Sequence, residues 1–151
     1  MNLKAQTLTL ETVVGSKDNI HALDLQTYED VDADAFELLS SLRHYLNLSG
    51  LKSLSDESAA IFARHPGILD LSGLTDLSDE ALTVLARKQG GLWLNGLKSL
   101  SDTAVAALAQ HEGDLYLWGL VDISKDGLKA LSKNPGVFYV AGQIKVRKPA
   151  A

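Results

Sequence analysis

The sequence predicts an α/β fold in which short strand–helix coils stack as a solenoid, with a parallel sheet on one side and helices on the other. Three observations carry that expectation. A 23-residue repeat runs without gaps from Leu23 to Val137. Within each copy the apolar pattern changes from period two to helical spacing. Glycines and serines recur at fixed offsets, where turns and helix starts belong. Periods of this length indicate repeat architectures, because one such unit cannot bury its own apolar face and must stack on its neighbours.

The clearest copies are LNLSGLKSLSDESAAIFARHPGI from Leu46, LDLSGLTDLSDEALTVLARKQGG from Leu69, LWLNGLKSLSDTAVAALAQHEGD from Leu92 and LYLWGLVDISKDGLKALSKNPGV from Leu115. A diverged copy precedes them from Leu23, and a truncated one follows from Phe138. The organisation is therefore an N-terminal cap over 1–22, five repeats over 23–137, and a capping strand with a basic tail over 138–151.

Each copy opens on a strand with one buried face. The inward pairs are Leu23/Leu25, Leu46/Leu48, Leu69/Leu71, Leu92/Leu94, Leu115/Leu117 and Phe138/Val140, an alternation that points successive side chains to opposite faces. Glycine follows in the last five copies (Gly50, Gly73, Gly96, Gly119, Gly142), where the chain turns tightly or meets a neighbouring backbone. A helical bundle, the main competing fold, does not account for strand alternation ending in glycine at one place five times. Ser55, Ser78, Ser101 and Ser124 stand where an N-cap belongs, with Asp32 replacing serine in the first copy. Asp56, Asp79 and Asp102 then complement the positive end of the helix dipole. Apolar residues at i, i+1, i+4 and i+5, as in Ala81, Leu82, Leu85 and Ala86, form one stripe facing the sheet. Gly67, Gly90, Gly113 and Gly136 are expected to end the helices in left-handed conformation. At the ends, Thr7 to Leu10 is expected to be a strand over the first coil, and Lys145, Arg147 and Lys148 a solvated tail that discourages edge pairing.

Composition narrows the function. The net charge of −5 provides no general attraction for nucleic acid or anionic lipid. No apolar run reaches the roughly 18 residues of a membrane span, and Met1 to Leu10 lacks the apolar core of a signal peptide. The absence of cysteine removes disulfides, thiolate metal sites and cysteine nucleophiles together. A cytoplasmic location is the expectation. His65 and His111 share a repeat position but lie two coils apart, about 10 Å by strand spacing and too far to share one metal. They, with His21 and His44, are expected at the surface. No phosphate-binding glycine loop, nucleophile elbow or HExxH motif occurs, so neither catalysis nor a cofactor is expected.

The pattern LxLxGLxxLSDxxxxxLAxxxGx resembles the leucine-rich repeats, closest to the subclass whose units read LxLxxCxxITDxxLxxLAxxC. Leu69 to Asp79 follows that line almost position by position. The resemblance covers 23 to about 142 and is similar to the short units of bacterial proteins; it implies a horseshoe segment, with recognition of protein on a concave sheet. The chain departs from the family where Leu51, Leu74, Leu97 and Leu120 stand in place of the usual Asn or Cys. Loop backbone groups that an Asn ladder would satisfy then need backbone or water partners, and a tighter, drier turn is expected.

The outward strand positions hold the candidate site. One column reads Asp24, Asn47, Asp70, Trp93, Tyr116 and Tyr139; a second runs through Asn95 and Trp118, and Tyr45 and Asp114 precede their strands. The three phenylalanines take inward places, whereas both tryptophans and Tyr45, Tyr116 and Tyr139 face out. Tyr and Trp suit a half-wet surface and are enriched in binding hot spots. Trp93, Tyr116, Trp118 and Tyr139 are expected to form a patch with Asp70, Asn95 and Asp114 at its rim, binding a protein or peptide. A self-associating structural unit is the alternative, and simple cross-strand cover of the sheet would explain the same aromatics. A carbohydrate platform is disfavoured by the small number of carboxylates and amides.

Overall fold

The computed structural model describes residues 6–16, 24–43, 45–134, 138–139 and 145–147, with side chains to residue 134. Its elements alternate strand and helix. Strand β1 (Thr7–Leu8) leads into α1 (Leu10–Gly15), and β2 (Asp30–Val31) into α2 (Ala33–Ser40). Three units follow, β3 (Leu46–Asn47) with α3 (Asp56–Phe62), β4 (Leu69–Asp70) with α4 (Asp79–Leu85), and β5 (Leu92–Trp93) with α5 (Asp102–Leu108). After β6 (Leu115–Tyr116) come β7 (Asp122–Ser124), α6 (Lys125–Leu131), β8 (Phe138–Tyr139) and β9 (Lys145–Arg147).

The main sheet is parallel, in the order β3-β4-β5-β6-β8. Leu46 pairs with Leu69, Leu69 with Leu92, Leu92 with Leu115, and Leu115 with Phe138, so the sequence register is also the spatial register. Each helix packs on the next in sequence. Between the layers lies one continuous core that includes Leu48, Leu71, Leu94 and Leu117, all fully buried. Phe36 and Phe62 meet edge to face at 4.6 Å within it. The loop leucines Leu51, Leu74, Leu97 and Leu120 are buried too. Their N–H groups donate to the carbonyls of Leu48, Leu71, Leu94 and Leu117 at 3.0–3.2 Å, so the turn closes on its own backbone without an Asn ladder.

The caps form as expected. Ser55, Ser78, Ser101 and Ser124 accept from the third N–H of their helices, and Asp32 caps α2 through Ala35 N at 2.7 Å. The aspartates that follow do more than face a dipole. Asp56 accepts from the hydroxyl of Ser78, Asp79 from Ser101 at 2.6 Å, and Asp102 from Ser124 at 2.6 Å. Each carboxylate thus holds the cap of the next unit.

Several expectations change. No strand forms at the start of the first copy among the described residues; Leu25–Thr27 is a 3-10 turn, although Leu25 is buried. Thr27 stands there in place of glycine, and its hydroxyl donates to the Asp24 carbonyl while the Asp24 carboxylate accepts from Gln26 N. Such local bonds compete with a sheet ladder. Of the expected strand Thr7 to Leu10, Thr7–Leu8 forms, paired parallel with β2, and Thr9 caps a helix beginning at Leu10. Thr9 falls on the same register as Asp32 and Ser55, so this segment is itself the latter half of a repeat. At the other end, Lys145–Arg147 is not a free tail but β9, paired parallel with β7; Lys148 lies outside the described residues. Among described glycines only Gly90 has a left-handed φ, 78°. The helices α3, α4 and α5 close on Ala63, Ala86 and Ala109 in ordinary helical conformation. Gly113 instead packs on the Gly90 carbonyl, where a Cβ would clash.

The histidines require the largest revision. His65 and His111 are fully buried, while His21 and His44 lie outside the described residues. Their column continues through Lys88 and Asn134 and serves the return turns. His111 Nδ1 donates to the Ala86 carbonyl at 3.1 Å, and Asn134 Nδ2 to that of Leu108 at 3.0 Å. Lys88 Nζ donates to the carbonyls of Gly67 at 2.8 Å, Gly91 at 3.2 Å and Gln89. These are groups that helix and sheet leave over, and burial makes a donor there necessary.

Burial pushes the Lys88 ammonium down to about 8 from 10.5, and burial first, then the Lys88 charge, lowers His111. Between pH 8 and 10.5 the unfolded chain therefore binds a proton at residue 88 that the folded chain has released. Stability is expected to rise with pH through that window. Tyr45, raised to about 12, opposes the trend above pH 10. Urea titrations at pH 8, 9 and 10 should show the rise, and Lys88→His, which places the residue found in the two flanking coils, should remove it. A flat wild-type profile would show that Lys88 is not held away from water.

Candidate functional site

The outward face of the sheet gathers the aromatic residues because the register stacks strand positions directly. Trp93 pairs with Tyr116 across β5 and β6, and their rings lie 4.8 Å apart, tilted by 46°. Both are half-buried. Tyr45, just before β3, reaches over the intervening strand to place its ring 5.4 Å from Trp93. What lets it do so is the residue between them. Asp70 on β4 is small enough to lie beneath the tyrosine, and its Oδ2 accepts from the Tyr45 hydroxyl at 3.0 Å. The other oxygen accepts from Ser72 N at 2.9 Å, closing a turn. Asp70 is only 6% exposed. The phenol of Tyr45 is pushed up to about 12, by partial burial first and then by the bond to Asp70 and that carboxylate's charge. It therefore remains a donor at all physiological pH values.

The remaining expected residues take different parts. Asn95 is a bracket: its Nδ2 donates to Ser72 Oγ at 3.1 Å and its Oδ1 accepts from Trp118 N at 3.0 Å, tying three strands at their C-terminal ends. Trp118 stands 52% exposed beyond β6, with Val121 also exposed after it. Asp114 is exposed, and its carbonyl accepts from Leu92 N at 2.8 Å. Tyr139 is in β8, paired with Tyr116, and its side chain lies outside the described residues. Asp70 is thus not exposed at a rim but nearly buried, bonded to Tyr45 and in register with Trp93. The Trp93 Nε1–H is buried with no acceptor among the described residues, an uncompensated donor of the kind that weakens a fold slightly.

Tyr45 joins the ring series although it lies outside the patch expected from the sequence. The signal was present, since Asp70 is the one acidic residue between outward aromatics and a tyrosine sits diagonally across from it. Ile68, 38% exposed, adds apolar surface next to Tyr45 in the column that precedes the strands. Among the described residues no group of histidines and carboxylates could hold a metal ion, and no helix is long and apolar enough to cross a membrane. No protein-family model, curated protein or solved structure matches the chain significantly.

Proposed function

We propose that the chain is a leucine-rich-repeat solenoid acting as a non-catalytic binding module, and that its concave sheet recognises a protein or peptide. The observation that carries this reading is the ring series Tyr45–Trp93–Tyr116, laid across the sheet and left half open to solvent. Trp118 and Ile68 extend the apolar surface on either side. Aromatic rings that serve only as cover need not be joined by exposed apolar neighbours, and a contiguous apolar surface of this kind marks an interaction site. Tyr and Trp offer large contact area with few rotamers to lose on binding.

The test compares the wild type with the Trp93→Ala, Trp118→Ala double variant as bait for partner capture. Loss of the captured protein with an unchanged circular dichroism spectrum is the expected result. Trp118 is exposed enough that its removal should cost less than about 0.5 kcal/mol, and the half-buried Trp93 should cost more. Retained capture by a folded double variant would move the interface to another face. Light scattering that shows an oligomer of the wild type, dissociated in the double variant, would make the same face a self-association surface.

A further inference from the structure

The aromatic series has a charge beneath it and acids around it, and no base on its own face. Asp70 is nearly buried, yet no lysine or arginine pairs with it; among the described residues the ion pair is Arg64–Glu37, on the helix side. The register columns that make up the sheet face hold Asp70 and Asp114, and among their described members no Lys or Arg. The Tyr45 hydroxyl donates to Asp70, which fixes the carboxylate next to the ring series. The ring series therefore has a nearly buried carboxylate, Asp70, against Tyr45 and in register with Trp93, and an exposed one, Asp114, two residues before Tyr116.

A surface with this charge pattern is complementary to a cation that can also shed water, and the guanidinium group does both. We infer that the sheet face takes an arginine-bearing peptide segment, its guanidinium stacked on the Tyr45–Trp93–Tyr116 rings, with Asp70 behind them and Asp114 beside them. This rests on the binding reading above and narrows it to the chemistry of the partner. Arginine is favoured over lysine because a planar, weakly hydrated cation can lie flat on an indole, whereas an ammonium holds its water.

The experiment has two arms. In the first, hexa-arginine amide, hexa-lysine amide and hexa-glutamate are titrated against the whole chain, read by tryptophan fluorescence and by calorimetry. Saturable binding of hexa-arginine, weaker binding of hexa-lysine and none of hexa-glutamate is expected. Trp93→Leu, with the charge unchanged, should weaken hexa-arginine binding about tenfold, and Trp93→Phe should restore part of it. Asp70→Asn should weaken it about fivefold. That variant keeps the turn, since Asn47 accepts from Ser49 N in the same way at 3.0 Å. Glu57→Gln, on the exposed start of α3, removes the same charge at a distance and should change little. Equal losses in Glu57→Gln and Asp70→Asn, or undiminished binding to a folded Trp93→Leu protein, would overturn the inference, because net charge alone would then explain the binding.

The second arm selects a random dodecapeptide library on the wild type. Enrichment of arginine, in peptides that no longer bind the Trp93→Leu variant, supports the inference. Peptides that need Trp93 but lack arginine overturn the cation while sparing the binding face. Peptides indifferent to Trp93, or no enriched peptide together with no titration by hexa-arginine, overturn both.

Discussion

Gly96→Ala is expected to destabilise the protein by about 3 kcal/mol or more, a large effect for a single added methyl group. A Cβ at this position would lie inside the contact distance of two carbonyl oxygens of the preceding unit, those of Leu74 and Ser72. Both are backbone atoms held in the turn and core, so neither can rotate aside, and the methyl group is accommodated only if neighbouring strands move apart. Gly50, Gly73 and Gly119 meet the same obstacle from Gln26, Ser49 and Asn95. The glycine of this column is thus needed for close approach and not for a left-handed turn. Gly15→Ala is the matching control. Nothing stands within 4 Å of a Cβ there, and alanine suits the last position of α1, so stability should hold or rise slightly. Comparable losses in both variants, measured by urea denaturation, would show that the units do not approach as closely as described.

Leu94→Ala is expected to cost about 2–5 kcal/mol, the range for a leucine truncated in a packed interior. Leu94 is fully buried, and its neighbours Leu71 and Leu117 in the stack are equally enclosed. The backbone around it is fixed by the donation of Leu94 N to the Tyr116 carbonyl at 2.9 Å, which limits collapse into the cavity. Ser72→Ala, one strand away on the outward face, removes a half-exposed hydroxyl that accepts from Asn95 and should cost no more than about 1 kcal/mol. Denaturant midpoints that place the two variants together would mean that the inward and outward strand positions had been exchanged.

The architecture was legible because two periodicities and a fixed register reinforce each other. Leu69 and Leu71 alternate, Ala81, Leu82 and Leu85 recur at helical spacing, and Ser78 marks the change between them; all but the serine are buried as their spacing requires. What escaped depends on partners that are distant in sequence. His65 and His111 share a repeat position, but their burial was hidden because the lysine between them is not an obvious member of a histidine column. Only the structure shows that a ring nitrogen, an ammonium and an amide can each serve the return turn. The strand expected at Leu25 failed for a local reason, the threonine in the glycine place. Alternation places Tyr45 outward, but its reach across Asp70 to Trp93 is a diagonal, and alternation along a strand contains no information about diagonals. Trp93 and Tyr116, directly opposite on paired strands, needed only the register.

The serine–aspartate bonds give each boundary between units a direction. A carboxylate at the start of one helix anchors the cap of the helix that follows, and the relation repeats from Asp56 to Ser78, Asp79 to Ser101 and Asp102 to Ser124. These bonds add to the shared core in tying each unit to the next, the kind of contact that supports nearest-neighbour coupling in a repeat chain. In such a chain a unit has little stability of its own but gains it from having both neighbours in place. Order then spreads from wherever two adjacent junctions close first. Lys125 occupies the place that aspartate holds in the three preceding units, so the last of these helices has no carboxylate there to offer. Ala33 holds the same place in α2, so the serine–aspartate series couples the three central junctions and stops at both ends.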